Sequence, residues 1–542
     1  MAYYSVEEMK SVLESYPQYR EQLYCRGFLI TNSKQKELKE YPFYSNWNEK
    51  GIKNGDKKYY IYTHKKINCY TYSDEKRTYF LIGHAYDPFN MKVDEIEILK
   101  DLSKASEKGK EAFWDAEGNL TGVFCIGYFQ TGKVVFSTDC AGMQLVYFGS
   151  INNNLYITSH SKLVADILGL QQTEYVKRLV SNKYWHYWGT WLPGDLSPFD
   201  ELKRMQPNCA GNYEEKAGNI KINRYYPTHA VKETTTEAEY QETIHKLGKV
   251  MSNTMTLIAQ KWPNKKVSIS VTGGRDSMTT LACAKENYEK FSYFSYISNK
   301  DESVDAYAAR DILKDLNLKH ELYKIPDEWD EYKNLDAFRK IMECNAGCIG
   351  ANNQNDVKKR MYFLKNAPCD IEVKSWVNEM GRGWYYNKYN KKRFPKYPYP
   401  SYWRCMHKAY INDLWLMKET DKIFADYLDK YYSKKVFDMI SWLELYFWEF
   451  SWGGGESVFL TAEHKISYDI TIPCNNRKYI EMMLTVPLSK RKVDQIPNDL
   501  IRYMEPRIAD TGIVIKDISH TNMRAFLIRS YLEVFSKIRF RI

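Results

Sequence analysis

The chain has 542 residues, of which 44% are hydrophobic and 27% charged. These are the proportions of a soluble globular protein, and they exclude a disordered or fibrous one. That length exceeds what one ordinary core organises, so two domains are expected. The net charge of +10 is mild and the basic residues are spread out, which argues against nucleic acid and suits an anionic small substrate.

The first ten residues have neither a basic start nor an apolar run, and no stretch of about 18 apolar residues follows anywhere. A cytoplasmic protein without membrane contact is expected. Eleven cysteines are scattered without paired CxxC sites, and Cys344 and Cys348 stand four apart with no second pair at ligand spacing. Reduced thiols are therefore expected over a zinc site.

Residues 1–230 read as β-rich. Tyr79–His84, Gly122–Tyr128, Lys133–Ser137 and Leu155–Ser159 are alternating or apolar runs, set apart by turn residues such as Gln130-Thr131-Gly132 and Asn152-Asn153-Asn154. Stacked antiparallel sheets follow from that rhythm. A polar linker at Val231–Glu237 precedes a helical period over Glu239–Ile258.

Residues 231–542 begin a different pattern. Val267–Val271 alternates β-branched residues with serine, which suits a strand, and Ser277 onward suits a helix. Between them, Thr272-Gly273-Gly274-Arg275-Asp276-Ser277 offers two glycines whose amides can approach an anion, at the positive end of a helix dipole. Asp276 can hold a Mg²⁺ that bridges to phosphates. A Walker A loop is excluded, because no Gly-Lys-Ser/Thr follows the glycines. Phe291–Ile297 and Ser303–Leu313 then read as a strand and a helix, closed by Leu316–His320, and strand-helix-strand-helix order means a parallel sheet. Tyr385–Tyr410 interleaves Lys388, Lys391, Lys392, Arg393, Lys396 and Arg404 with aromatics, which reads either as a basic lid or as a solvated insertion. Residues 411–465 read as helical, broken at Gly453-Gly454-Gly455.

The loop resembles the Ser-Gly-Gly-x-Asp-Ser loop of the ATP pyrophosphatases, which cleave ATP between its α and β phosphates. Further segments resemble the asparagine synthetase family. They are Thr138–Phe148 with Thr158–Lys162, Phe199–Asn208 followed by Arg224-Tyr225-Tyr226, the Ala308-Ala309-Arg310 helix, and Ile470–Glu481. The resemblance covers most of the chain and is strongest at 266–320. It implies an N-terminal Ntn-type antiparallel β-sandwich with helices, like a class II glutamine amidotransferase, over 1–230. It also implies an ATP pyrophosphatase domain with a parallel sheet over 231–542, and hence an α/β fold class.

The glutamine-using members place their nucleophilic cysteine directly after the initiator methionine, where this chain has Ala2. The next cysteine, Cys25, has no free terminal amine unless the chain is processed. Glutamine hydrolysis is expected to be lost, as in β-lactam synthetase-like relatives. The family's second metal-binding Asp falls on Asn378 and its second Glu on Glu379, while the first Glu becomes Ser375. The lysine that steadies the adenylate falls on Asn498, leaving Lys490, Arg491 or Lys492 to replace it.

The expected reaction is therefore ATP-dependent amide formation through an acyl-adenylate, releasing AMP and pyrophosphate. Asp276, Glu379 and Lys490 are the expected catalytic residues. Ser270, Thr272, Gly273, Gly274, Arg275, Ser277 and Ser295 are expected to bind ATP and its pyrophosphate, and Asp276 and Asn378 to hold Mg²⁺. The expected partners are small-molecule or peptide carboxylates and amines; a homodimer stays open. Two alternatives stay open as well: transfer of ammonia or sulfur, the latter through Cys344 or Cys348, and a decayed nucleotide-binding assembly protein.

Overall fold

The computed structural model describes residues 3–35, 37–186, 191–350, 354–390, 394–408, 410–513 and 522–540. Ala2, Lys391, Lys392 and Arg393, on which expectations above drew, lie outside them. Among the described residues, no helix is long and apolar enough to cross a membrane.

Twelve strands come first: β1 (Phe28–Thr31), β2 (Trp47–Asn54), β3 (Lys57–His64), β4 (Cys69–Ser73), β5 (Arg77–Tyr86), β6 (Thr121–Gln130), β7 (Lys133–Thr138), β8 (Tyr147–Ile151), β9 (Asn154–Thr158), β10 (Lys203–Arg204), β11 (Cys209–Glu214) and β12 (Asn219–Arg224). They form two antiparallel sheets, β10-β8-β9-β1-β3-β2 and β12-β11-β7-β6-β5-β4. The turn residues act as their chemistry demands: Gly132 (φ 77°) closes β6 onto β7, and Asn152 (φ 51°) and Asn153 (φ 61°) close β8 onto β9.

Period-2 patterning fixes the layers. In β6, Cys125 and Phe129 face the other sheet and join Phe28, Ile30 and Ile61 there. Phe124, Ile126 and Tyr128 face away, against Leu99 and Phe113 of helices Glu95–Glu107 and Lys110–Glu117. The expected antiparallel sandwich is thus observed.

The second half holds the expected parallel sheet. Its strands are β13 (Val267–Ser270), β14 (Ser292–Ile297), β15 (His320–Lys324), β16 (Ile371–Val373) and β17 (Asp469–Thr471), in the order β15-β14-β13-β16-β17. Helices Arg275–Cys283 and Lys300–Asp315 make the first two crossovers, and the long helix Glu237–Lys261 precedes β13. The order runs outward in both directions from β13. A crevice therefore opens between β13 and β16 at their carboxyl ends, the switch point where α/β sheets bind ligands.

Two of the motif segments meet at the seam between the halves. Asp139 accepts from the amides of Met143 (2.8 Å) and Gln144 (2.7 Å) and from Asn475 Nδ2 (2.8 Å), while Arg477 pairs with Glu117 at 2.6 Å. Arg224 reaches across to Glu449, also at 2.7 Å.

The glycines at 453–455 correct an expectation. They do not break the helical segment; the π-helix Tyr446–Glu456 runs through them into helix Ser457–Ala462. A Cβ on Gly453 would sit 2.6 Å from Pro207, one on Gly454 2.9 Å from the Arg204 guanidinium, and one on Gly455 2.9 Å from Trp191. The glycines let the N-terminal half approach the helix backbone. Gly453→Val is expected to lower unfolding free energy by about 1–3 kcal/mol, the cost of overpacking a filled core. The urea midpoint reads this, and an unchanged midpoint would mean that Pro207 moves aside.

Candidate functional site

β13 ends at Ser270, and four residues carry the chain into helix Arg275–Cys283. A cavity of ≈ 340 Å³ opens there, between the loop, the end of β14 at Ser295 and Tyr296, and the segment from Glu372 in β16 to Glu379. Asp276, Glu379, Ser270, Thr272, Gly274, Ser277 and Ser295 line it, while Gly273 and Arg275 do not.

The loop is built differently from the expectation. Neither Gly273 nor Gly274 takes a positive φ, so the pair is not there for left-handed backbone. What their missing side chains supply is an open loop face. Ser277 Oγ is bonded within the loop. It donates to Thr272 O (2.9 Å) and Gly274 O (3.0 Å) and accepts from Thr272 N (3.1 Å), so it shapes the turn. Thr272 Oγ1 likewise takes the Gly274 amide at 3.1 Å, and the Asp305 carboxylate faces the Gly273 amide. The helix that follows has no side-chain cap on Gly274. Ser295 Oγ donates to Val271 O (2.6 Å) and meets His320 Nε2 at 2.9 Å, which ties β14 to the loop.

Asp276 stands in the first helical turn. Its Oδ2 pairs with Arg382 Nη1 at 3.0 Å, and its Oδ1 accepts from Asn378 Nδ2 at 3.3 Å. Arg382 also grips Asp494 with two bonds (2.8 and 3.1 Å), and Arg275 Nε lies 3.4 Å from the same carboxylate. Arg275 therefore braces the network beside the cleft. Burial raises the Asp276 pKa, while Arg382 pulls it down. Glu379 is raised well above the usual carboxylate range, first by burial and then by the like charge of Asp276.

Asp276 fits a Mg²⁺ site in part. It offers a hard oxygen at the cavity wall, but no group of three or more His, Cys, Asp or Glu side chains that could hold a metal occurs among the described residues. Phosphate oxygens would have to complete the shell. Asn378 is corrected: it turns its amide N–H toward Asp276, and its oxygen faces Tyr479 OH at 3.5 Å.

Lys490 is also corrected, because it pairs with Glu237 at 2.8 Å and lies over the Tyr240 ring, outside the cleft. The cleft's lysine is Lys374, 8% exposed, 3.4 Å from Glu372 Oε1 and 4.7 Å from the Trp376 ring centroid. The lid expectation fails where it can be seen: Arg404 is buried on Asp421 (2.6 Å), Lys396 pairs with Asp438 (2.7 Å), and neither lines the cleft.

No known protein family matches the chain. No curated protein matches it either. Among solved structures, it aligns with an allosteric regulatory enzyme of purine biosynthesis at 11% identity and a TM-score of 0.23, covering 59% of this chain and 63% of that one. It also aligns with glutamine phosphoribosylpyrophosphate amidotransferase from B. subtilis, complexed with ADP and GMP, at 9% identity and a TM-score of 0.22, covering 58% and 63%. The chain thus spans just under two thirds of each, and TM-scores at that level do not establish a shared fold.

Behind the cleft, more acids gather than the sequence reading found. Burial pushes the Glu456 carboxyl up to about 7 although Lys374 draws it down, and it pushes Glu463 up to about 7 against Arg360. Glu456 closes the π-helix, and wide turns of that kind recur at functional sites. A raised carboxyl favours the protonated folded form, so the stability it confers is present below its unfolded pKa and is lost as pH rises to about 7. Glu463→Gln keeps the neutral shape and removes that loss. Relative to the parent, it is expected to gain about 2–3 kcal/mol between pH 5 and pH 8. Urea midpoints at the two pH values check this.

Proposed function

We propose that the chain is an ATP-dependent ligase that joins a carboxylate to a bound amine through an acyl-adenylate, releasing AMP and pyrophosphate without hydrolysing glutamine. One observation carries the reading: the glycine loop, Asp276, Lys374 and Glu379 converge at the switch point of the parallel sheet, in a cavity of ≈ 340 Å³. Far apart in sequence, they meet on one side.

The outer phosphates of ATP would lie on the uncapped first turn of helix Arg275–Cys283. Mg²⁺, when bound to Asp276, would neutralise charge on the departing pyrophosphate. Lys374 would orient the attacking carboxylate and offset charge at the α phosphorus. Glu379, on the cleft wall, would accept the proton of the incoming amine.

The proposed lack of glutaminase draws on Cys25. Cys25 precedes β1 but is buried, with its thiol pushed up by burial, which suits a structural cysteine. Sulfur transfer loses its support, because Cys344 and Cys348 are buried and no cysteine lines the cleft among the described residues. The decayed reading keeps one observation, the Arg382 guanidinium on Asp276.

The test incubates α-labelled ATP with pools of carboxylic acids, using hydroxylamine to trap activated acyl groups. AMP, pyrophosphate and a hydroxamate are expected. ADP would overturn the reading, and the absence of any acid-dependent turnover would favour the decayed one.

A further inference from the structure

The loop side of the cleft suits a nucleotide, which leaves open where a free-standing amine would sit. Among the described residues, three oxygens on one wall have no protein partner although each is shut from solvent: Glu372 Oε2, Ser375 Oγ and Glu379 Oε2. Glu372 is 1% and Ser375 8% exposed, and all three residues line the cleft. A buried acceptor left unpaired costs about 1–3 kcal/mol. Three on one wall point to a ligand that donates, and an ammonium has three donors and no acceptor.

We propose that Glu372, Ser375 and Glu379 form the acceptor subsite of the cleft and that it takes a primary alkylammonium. For its reaction this rests on the ligase reading; its binding chemistry does not. Trp376 continues the wall and offers ring surface to the alkyl stem, held in place by His464 at 5.0 Å and Trp452 at 5.8 Å. A second divalent cation suits the wall less. Ser375 brings a neutral hydroxyl, and the Lys374 ammonium 3.4 Å from Glu372 repels a double charge twice as strongly as a single one.

The same repulsion helps the ammonium give up its proton. One proton passes to the Glu379 carboxylate, and the freed amine attacks the acyl carbon. The C–N bond forms, the bond from acyl carbon to phosphate oxygen breaks, and AMP leaves with the electron pair. The second amine proton goes to water.

The test titrates the full chain with butylammonium chloride, butanol and MgCl₂ separately, with and without α,β-methylene-ATP, following binding by calorimetry and ligand-observed NMR. Butylammonium is expected to bind and butanol not, with Ser375→Ala and Glu379→Gln each weakening butylammonium about fivefold or more. Ser375→Ala is small enough to leave the fold alone, and melting curves confirm it. Absence of butylammonium binding, unchanged affinity in both variants, or displacement by MgCl₂ would overturn the proposal. Nucleotide binding without butylammonium binding would sink the subsite alone. Butylammonium binding without nucleotide binding would uphold the subsite and sink the ligase reading.

Discussion

Asp276→Ala is expected to cut AMP release by about 10²–10³-fold, the range for losing one preorganised group that meets developing charge. The fold should survive the change. Arg382 loses one partner but keeps its two bonds to Asp494, so the guanidinium is not left bare. Stability is therefore expected to move by less than about 1 kcal/mol. A second measurement isolates the metal. In the parent chain, Mg²⁺ should tighten binding of α,β-methylene-ATP, and in Asp276→Ala that gain should vanish while metal-free binding stays. An intact Mg²⁺ gain in the variant would place the metal elsewhere. A fall in melting temperature that tracks the fall in activity would reduce Asp276 to a structural role.

The glycine-loop end of the cleft was the part most open to reading, because its signals are local. An alternating strand, two glycines and a run without helix breakers specify strand, loop and helix with no help from the rest of the chain. The observed β13, β14 and helix Lys300–Asp315 fall within a few residues of the expected bounds. Hairpin turns were legible for the same reason, since the backbone angles of Asn152, Asn153 and Gly132 are a property of those residues.

What stayed hidden depends on distance in space. Lys374 and the loop lie about a hundred residues apart, and only the strand order β14-β13-β16 sets them side by side. Counting from a family motif put the lysine's place on Asn498 and left Lys490 as a substitute, and Lys490 is instead paired with Glu237. The glycines at 453–455 were misread because sequence shows a glycine's freedom but not the neighbour that needs its space, here Pro207, Arg204 and Trp191. Ser277 shows the same limit: a hydroxyl beside a glycine loop can serve a ligand or the loop, and sequence does not reveal its bonds to Thr272 and Gly274.

Lys374 carries the second large expectation, and its effects on fold and activity can be pulled apart. Lys374→Met removes the cation beside Glu372, which is 1% exposed and, among the described residues, has that one ion pair. Breaking a buried pair from one side costs about 3–5 kcal/mol, because the remaining charge is stranded. Loss of activity in this variant alone would therefore mean little. Lys374→Met combined with Glu372→Gln removes both charges, and most of the lost stability is expected to return. If Lys374 serves the α phosphorus, the double variant should still form AMP about 10²-fold or more slowly than the parent, now as a well-folded protein. Urea midpoints and single-turnover AMP formation, measured on the same samples, decide between the two roles. Recovery of both in the double variant would assign Lys374 to holding Glu372 and leave the cleft without its proposed cation.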